Sequence, residues 1–477
     1  MNSTTLFAAI LLLAPVAQVA EPIDIRSRRE LFVDDYLVER LSGSARLVVQ
    51  RPVPQGVVLV TDRPWEGSSC LYFTIFQDGD LYRMYYRGLQ VKDGKPAHRE
   101  VVCYAESRDG VKWTRPELSL VEFRGSKKNN IVWDGLGSHN FTPFIDRNPD
   151  CRPDAKYKAL GRGKRTPDGK PGSIHQLFVF QSPDGIHWSL MRDEPVLTQG
   201  RFDSQNIAFW DAERNCYVTF YRDSLGGFRA IRTATSRNFL DWGEHRFLGY
   251  RGVARQHLYT NAIQRYDRAP HLLIGFPTRF LPRKKFPARA EWTEPILIAG
   301  RNGRSFRLWD DPIIPANTQA TSGNRSNYVS WGLLQLHGKP HEYSLYAAED
   351  RRTGSSMRLR RYSYRADGFV SVSARESPGE LLTKPLTFSG NRLVLNYASK
   401  LSGSIRVELQ EAAGKPCHGY ELDNCRASVG DVTEQVVSWK KTNDLSQLAG
   451  QAIRLRFHLK DTDLYSFQFV ASEGADE

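Results

Sequence analysis

The 477-residue chain has little that would build helices, hold a nucleotide or cross a membrane. No window of a dozen residues repeats apolar positions at i, i+3, i+4 and i+7, which excludes a helical architecture. Beyond the N-terminus no apolar run is long enough to span a bilayer. The patterns G-x-x-x-x-G-K-[ST], G-x-S-x-G and H-E-x-x-H are all missing, which removes P-loop, α/β-hydrolase and zincin chemistry. There are only six cysteines and no C-x-x-C, so neither a zinc site nor a disulfide framework organises the fold. Cys417 and Cys425 either close one short loop in an oxidising compartment or are buried free thiols. Lys and Arg exceed Asp and Glu by 66 to 53, a net charge of +13, but they form no tract or helical stripe. A nucleic-acid partner is therefore not expected; the charge reads as a basic soluble surface or as attraction for an anionic ligand.

What is present is aromatic and turn-rich: 24 Phe, 20 Tyr, 10 Trp, 37 Gly and 25 Pro, a composition that favours many short strands. Residues 1–20, MNSTTLFAAILLLAPVAQVA, have the short apolar core and small-residue end of an export signal. The expected location is secreted or periplasmic, with no integral membrane segment in the mature chain. The oligomeric state is open.

The heptapeptide SRDGVKW at 107–113 recurs as SPDGIHW at 182–188. Degraded copies follow: SRNFLDW at 236–242 and GRNGRSF at 300–306. Upstream of each lies an alternating segment: LYRMYYRG, KYKALGRG, CYVTFYRD, PHLLIGFPTRF and, in a fifth copy, EYSLYAAED. These begin at 81, 156, 216, 270 and 342, and most follow a shorter apolar strand and a polar turn. Five four-stranded antiparallel units that cannot bury both faces alone must stack on one another. The closed solution is a five-bladed β-propeller. Alternating strands after ESPGE at 376–380 suggest a separate β-sandwich of some eight short strands. The expected division is a signal over 1–20, a propeller over 21–375 and a sandwich over 376–477, all-β throughout.

The repeated Asp-Gly is a turn device: Asp109 and Asp184 cap backbone amides, Gly110 and Gly185 supply positive φ, and Trp113 and Trp188 pack between blades. Chemistry is expected where the innermost strands enter the central channel. The residues just before those strands are Trp65-Glu66-Gly67, His139-Asn140, Asp203-Ser204-Gln205-Asn206, His257 through Tyr259 to Asn261, and Arg325-Ser326-Asn327. Arg87, Arg162, Arg222 and Arg279 recur at the end of the second strand of four units. They form either inter-blade salt bridges or a ring for sulfate or carboxylate groups.

The turn motif resembles a shortened Asp-box of sialidases. The layout resembles the five-bladed glycosidases, glycoside hydrolase families 32, 68 and 43, although Asn-Asp-Pro-Asn, Arg-Asp-Pro and Glu-Cys are not present intact. RELFVDDYLVE at 29–39, HNFTPF, FDSQN and LRRYSYRADGFVSV resemble uncharacterised secreted glycosidase-like proteins. That resemblance implies a glycoside hydrolase acting on a polysaccharide or oligosaccharide, sulfated or uronic-acid sugars included. Hydrolysis needs two carboxylates. Glu66 is expected as acid and Asp203 as base or nucleophile, with Asp35 (beside Asp34) the alternative from the first unit. His139 and His257 are expected as hydroxyl ligands or carboxylate neighbours. Asn140, Gln205, Asn206, Tyr259, Asn261, Arg87, Arg222 and Arg279 complete the expected substrate contacts. No cofactor is expected and no metal ligand set is visible; family 43 leaves room for a structural calcium. Two rivals are a non-catalytic carbohydrate-binding propeller and a sialidase-type hydrolase with Tyr259 as nucleophile.

Overall fold

The computed structural model describes residues 21–165, 171–281, 292–316 and 327–472. Strand accounts for 54% of it and helix for 2%. The expected signal (1–20), Arg325, Ser326 and residues 166–170 lie outside the described residues.

Five sheets form the blades. From the inside out, blade one is Thr74–Asp78, Leu81–Gly88, Val101–Ser107 and Ile131–Asp134. Blade two is Gly137–Ile145, Tyr157–Arg165, Pro171–Ser182 and Ser189–Leu190; blade three is Ile207–Asp211, Cys216–Leu225, Phe228–Ser236 and Gly243–Phe247. Blade four runs Gln264–Tyr266, Ala269–Gly275, Thr293–Gly300 and Ser305–Pro312, with Gly249–Arg251 added in parallel at its outer edge. Blade five has Tyr328–Val329, Glu342–Glu349 and Arg358–Arg365, but its outermost strand is Val53–Val60 from the other end of the chain. Val53–Val60 thus closes the ring.

The Asp-Gly turns explain how the blades hold together. Asp109 Oδ1 accepts the amides of Val111 and Lys112, and Asp184 Oδ1 those of Ile186 and His187. The degraded copies keep the device with an amide oxygen: Asn238 caps Leu240 and Asp241, and Asn302 caps Arg304 and Ser305. Tyr346 of blade five donates to the Gly110 carbonyl of blade one at 2.6 Å, and Tyr85 of blade one to that of Gly185 in blade two at 2.8 Å. Beside them Tyr157 donates to Asp78 across the blade one–two boundary, and Tyr217 to Asp146 across the next. These stitches satisfy polar groups that sheet packing would otherwise bury unpaired.

The division into 21–375 and 376–477 does not match sheet membership. Ile23–Arg26, Glu30–Leu31, Val38–Gly43 and Arg46–Val49 all pair within the same ten-stranded sheet as Val370–Ala374 and the C-terminal strands. The chain starts in that sheet, makes the propeller between residues 53 and 365, and returns. Nor are its strands all short: Arg392–Glu411 and Ile453–Val470 pair along nearly their whole lengths, with bulges near Asn396 and between Ser399 and Ser404. Sequence reading missed this because the first long strand carries Ser-Gly-Ser and the second Asp-Thr-Asp at mid-length, which mimic turn signals. Buried Asp367 joins the two sheet systems, accepting from Tyr266 of blade four and from Asn396 and Ser466 of the C-terminal sheet, and pairing with Arg29 and Arg268. Cys417 and Cys425 are buried free thiols; the Cys425 sulfur accepts the Val407 amide at 3.2 Å.

Candidate functional site

The antiparallel registers give each blade two distinct ends. In blade one Ser107, which opens the Asp-Gly turn, lies opposite Tyr82, whereas Arg87 lies opposite Val102. Blades two and three repeat this with Ser182 opposite Tyr157 and Arg162 opposite Leu177, then Ser236 opposite Tyr217 and Arg222 opposite Ile231. The arginines therefore sit at the end of the blades away from the turns.

Three of them gather on one cluster. The Arg87 guanidinium lies 4.9 Å from the Tyr72 ring centroid, and that of Arg222 lies 6.0 Å from the Tyr259 ring. The hydroxyls of Tyr72 and Tyr259 are 2.9 Å apart and both reach the Asp203 carbonyl, at 3.1 and 2.7 Å. Arg222 Nε faces Asp203 Oδ1 at 3.6 Å, and neither atom has a hydrogen-bond partner among the described residues. Arg162 lies within electrostatic range of Tyr72, Glu100, Asp203 and Tyr259, and burial lowers its pKa. Arg279 does not join: it is held by Glu294, Gln256 and Asp310. Three arginines whose burial is only partly compensated make a strong oxyanion receptor.

On the blade one–two side, His139 Nδ1 lies 2.8 and 3.0 Å from the Glu100 carboxylate oxygens, and Arg87 pairs with Glu100 at 3.4 Å. The imidazole packs against the Tyr72 ring with centroids 5.7 Å apart. Burial pulls the His139 pKa down to about 4, with Glu100 opposing and Arg87 and Arg162 adding to the shift. Burial would raise Glu100, but His139, Arg87 and Arg162 outweigh it and hold the carboxyl well below its ordinary value. His139 is thus the expected carboxylate neighbour, and Glu100 is the partner sequence reading missed. Its signal was register: Val102 lies opposite Arg87, which puts Glu100, two residues earlier and on the same face, diagonally beside that arginine. Tyr72 was also missed; it takes φ +61°, a conformation that its sequence gives no sign of.

The other expectations divide sharply. Asp203 is the one expected carboxylate at the cluster, with a side chain 36% exposed. Glu66 is sealed, 0% exposed, accepting from Tyr86, the Arg63 amide and Arg115. Burial raises its pKa against the pull of Arg115, but no sugar can reach it. Among the described residues Glu66 and Asp203 share no hydrogen-bond or ion-pair partner. Asp35 is 49% exposed and pairs with Arg251 and Arg307 at the outer edge of blade four, and Asp34 grips Arg301. Asn140, Asn206 and Asn261 are enclosed and spent on backbone. The first two cap the loop 202–204 and receive the amides of Arg162 and Arg222, while Asn261 binds the Gln205 and Phe220 carbonyls. Gln205 crosses to the Phe73 carbonyl. His257 accepts the Arg229 amide and stacks on Phe228, beside the cluster rather than in it. These polar residues recur because each blade must satisfy the same backbone groups where its inner strand begins. Tyr259 is half-buried and hydrogen-bonded to Tyr72, and desolvation of its hydroxyl pushes the pKa well above the usual range, which opposes a nucleophilic role.

A cavity of about 600 Å³ lined by Arg214, Cys216, Arg237 and Arg304 lies at the turn end of blades three and four, remote from this cluster. Among the described residues no group of three His, Cys, Asp or Glu side chains is arranged to hold a metal, and no helix is long and apolar enough to cross a membrane.

No family model matches the chain. Over 168 residues, 33% of this chain and 48% of the relative, it is 26% identical to uncharacterised proteins of two Mycobacterium tuberculosis strains. The chain spans about half the length of these curated relatives. Similar solved structures include one titled glycoside hydrolase, at 12% identity and TM-score 0.46 over 66% of this chain and 92% of that one. Another is a family 43 arabinoxylan arabinofuranohydrolase from Bacillus subtilis, at 11% identity and TM-score 0.40 over 86% and 96%. Others are titled glycosyl hydrolase or putative glycosidase, and one is titled an N-acetylgalactosamine deacetylase; the five-bladed assignment stands on the blades themselves.

Proposed function

We propose that the arginine end of the channel is a glycan site and that the protein cleaves an acidic polysaccharide or oligosaccharide as a secreted glycoside hydrolase. The observation that supports this reading is the convergence of Arg87, Arg162 and Arg222, from three blades, around Asp203 and a tyrosine pair. A sulfate or uronate group fits three guanidinium forks, and Tyr72, Tyr259 and His139 offer ring faces and hydroxyls to the sugar. Asp203 is the carboxylate placed to serve as base or nucleophile. The rival reading, a binding propeller without turnover, draws support from Glu100, which is held ionised and so is a poor proton donor.

The test is a panel of neutral, sulfated and uronate polysaccharides, followed by calorimetry and by release of reducing ends. Arg222→Ala is expected to weaken acidic glycans roughly 10- to 100-fold, the worth of charged hydrogen bonds, and to leave neutral ones unchanged. Asp203→Asn is expected to abolish turnover while preserving binding. Equal binding of neutral and acidic glycans, insensitive to Arg222→Ala, overturns the reading; tight binding without chain cleavage selects the rival.

A further inference from the structure

The site lacks one thing that glycoside hydrolysis needs and holds three that another reaction needs. A hydrolase requires a carboxylic acid that keeps its proton until the leaving oxygen departs. At the cluster, Glu100 is tied to His139 and Arg87, and Asp203 faces Arg222, so both carboxylates lie against cations. Burial raises the pKa of two carboxyls, and neither is at the cluster: Glu66 is sealed away, and Asp267 lies in the hairpin turn of blade four.

Cleavage of a uronate polymer by β-elimination has different requirements. Cations must neutralise the sugar carboxylate, a neutral base must take the proton on the adjacent carbon, and a weak acid must protonate the leaving oxygen. We propose that this site cleaves uronic-acid polymers by β-elimination, with Arg162 and Arg222 on the carboxylate, His139 as base and Tyr259 as acid. The inference rests on the acidic-glycan reading above and replaces only its mode of bond cleavage.

The base is prepared by geometry. Nδ1 of His139 points at the Glu100 carboxylate, which fixes the proton on Nδ1, and Nε2 has no hydrogen-bond partner among the described residues. A carboxylate that orients a histidine in this way also stabilises the imidazolium formed when Nε2 takes a proton. The charged groups around the ring are Glu100 and Arg87 of blade one and Arg162 of blade two, with Tyr72 against its face. The depressed pKa keeps the imidazole neutral at neutral pH, and desolvation of the hydroxyl keeps the Tyr259 proton in place until an alkoxide draws it off. Tyr72, hydroxyl to hydroxyl with Tyr259, can support the phenolate left behind.

In the step, Nε2 removes the proton from C5 of the uronate, and that electron pair becomes the C4=C5 double bond. The C4–O bond breaks, and its oxygen takes the Tyr259 proton. Water returns the proton to Tyr259 and accepts the one on His139. No water enters the product, and no oxidant, reductant or co-reactant is consumed. Glu100 is a positioning residue; His139 and Tyr259 are catalytic residues.

Polygalacturonate, alginate and hyaluronan are the uronate probes, and carrageenan is a sulfated polymer that contains no uronate. Ultraviolet absorbance of the conjugated double bond reads elimination, and a reducing-end assay reads all cleavage. Ultraviolet product from at least one uronate polymer is expected, with His139→Gln and Tyr259→Phe each slowing it at least about 100-fold. Nitrogen NMR, with His139→Gln to assign the signal, is expected to show the proton on Nδ1 in the wild type. In Glu100→Gln the proton should move to Nε2, because the amide can donate to Nδ1. Reducing ends without ultraviolet product, from uronate polymers or carrageenan, overturn elimination and leave hydrolysis standing. No cleavage of any probe overturns both modes of cleavage. A His139 proton resting on Nε2 in the wild type, or full activity in His139→Gln, removes the assigned base.

Discussion

The two ends of the blades obey different rules. At the turn end, Asp109, Asp184, Asn238 and Asn302 repeat one cap, and tyrosines from neighbouring blades satisfy the exposed carbonyls. At the arginine end, Arg222 Nε and Asp203 Oδ1 face each other beyond hydrogen-bond reach, and no two blades contribute the same set of groups. The caps and inter-blade carbonyls of the turn end are satisfied without a ligand. Unpaired buried polar atoms occur elsewhere too, at Thr233 Oγ1 and the Tyr250 hydroxyl for example, but at the arginine end the unpaired atoms belong to opposite charges that face each other beside a part-exposed carboxylate.

The largest effect that separates the two roles is expected at the carboxylates. Glu66→Ala would leave the buried Tyr86 hydroxyl without its acceptor and Arg115 with only Asp62 and the Val60 carbonyl, and is expected to cost about 1–3 kcal/mol, read as a fall in the denaturation midpoint. Glu66→Gln, which keeps an acceptor for both, should retain most stability and all glycan binding. Asp203→Asn should do the reverse, leaving the midpoint nearly unchanged while affecting the site. If Glu66→Gln abolished cleavage at unchanged stability, the assignment of Glu66 to structure would be wrong.

This contrast also explains what the sequence could disclose. The blade repeat was legible because the Asp-Gly turns solve one backbone problem four times, and the strand starts at 81, 216 and 342 coincide with Leu81–Gly88, Cys216–Leu225 and Glu342–Glu349. The ring closure was not, because Val53–Val60 belongs to blade five across some 300 residues of chain and carries no mark of its partner. At the site, Arg87, Arg162 and Arg222 were legible as a repeat. Asp203 stood out only as one of several polar residues at equivalent positions, most of which bind backbone. Glu100 was hidden just before the third strand of blade one, where only the register reveals it. Repetition in sequence reports structure; the functional groups are the departures from it.

A comparable loss of stability tests the turn end. Gly185 has φ +78°, and a Cβ there would meet the Tyr85 hydroxyl at 2.7 Å. Gly185→Ala is expected to cost about 1–3 kcal/mol through backbone strain and the displaced inter-blade hydrogen bond. Glycan affinity at the opposite end should stay within about twofold at temperatures where the protein is folded. Gly185→Ala that weakened binding without lowering the melting temperature would mean that the two ends are coupled.

The smallest effect is a pH dependence that belongs to the arginine end alone. Folding lowers the His139 pKa to about 4 from its ordinary 6.5, so below pH 6.5 the unfolded chain binds a proton that the folded protein does not. Stability therefore falls as pH drops from 6.5 towards 4, and the loss is complete once the folded imidazole also protonates. Glu100 has the depressed carboxylate's sign: its contribution is present above its unfolded value of 4.5 and is lost as pH falls towards about 2, so the two windows overlap only between about 4 and 4.5. His139→Gln should flatten the slope between pH 6.5 and 4 by a fraction of the wild-type dependence, since ten other histidines remain. Chemical denaturation at a series of pH values measures it. A slope unchanged by His139→Gln would mean that the imidazole is solvated rather than held between Glu100 and the arginines, and the distinction between a satisfied end and a poised one would lose its titrating member.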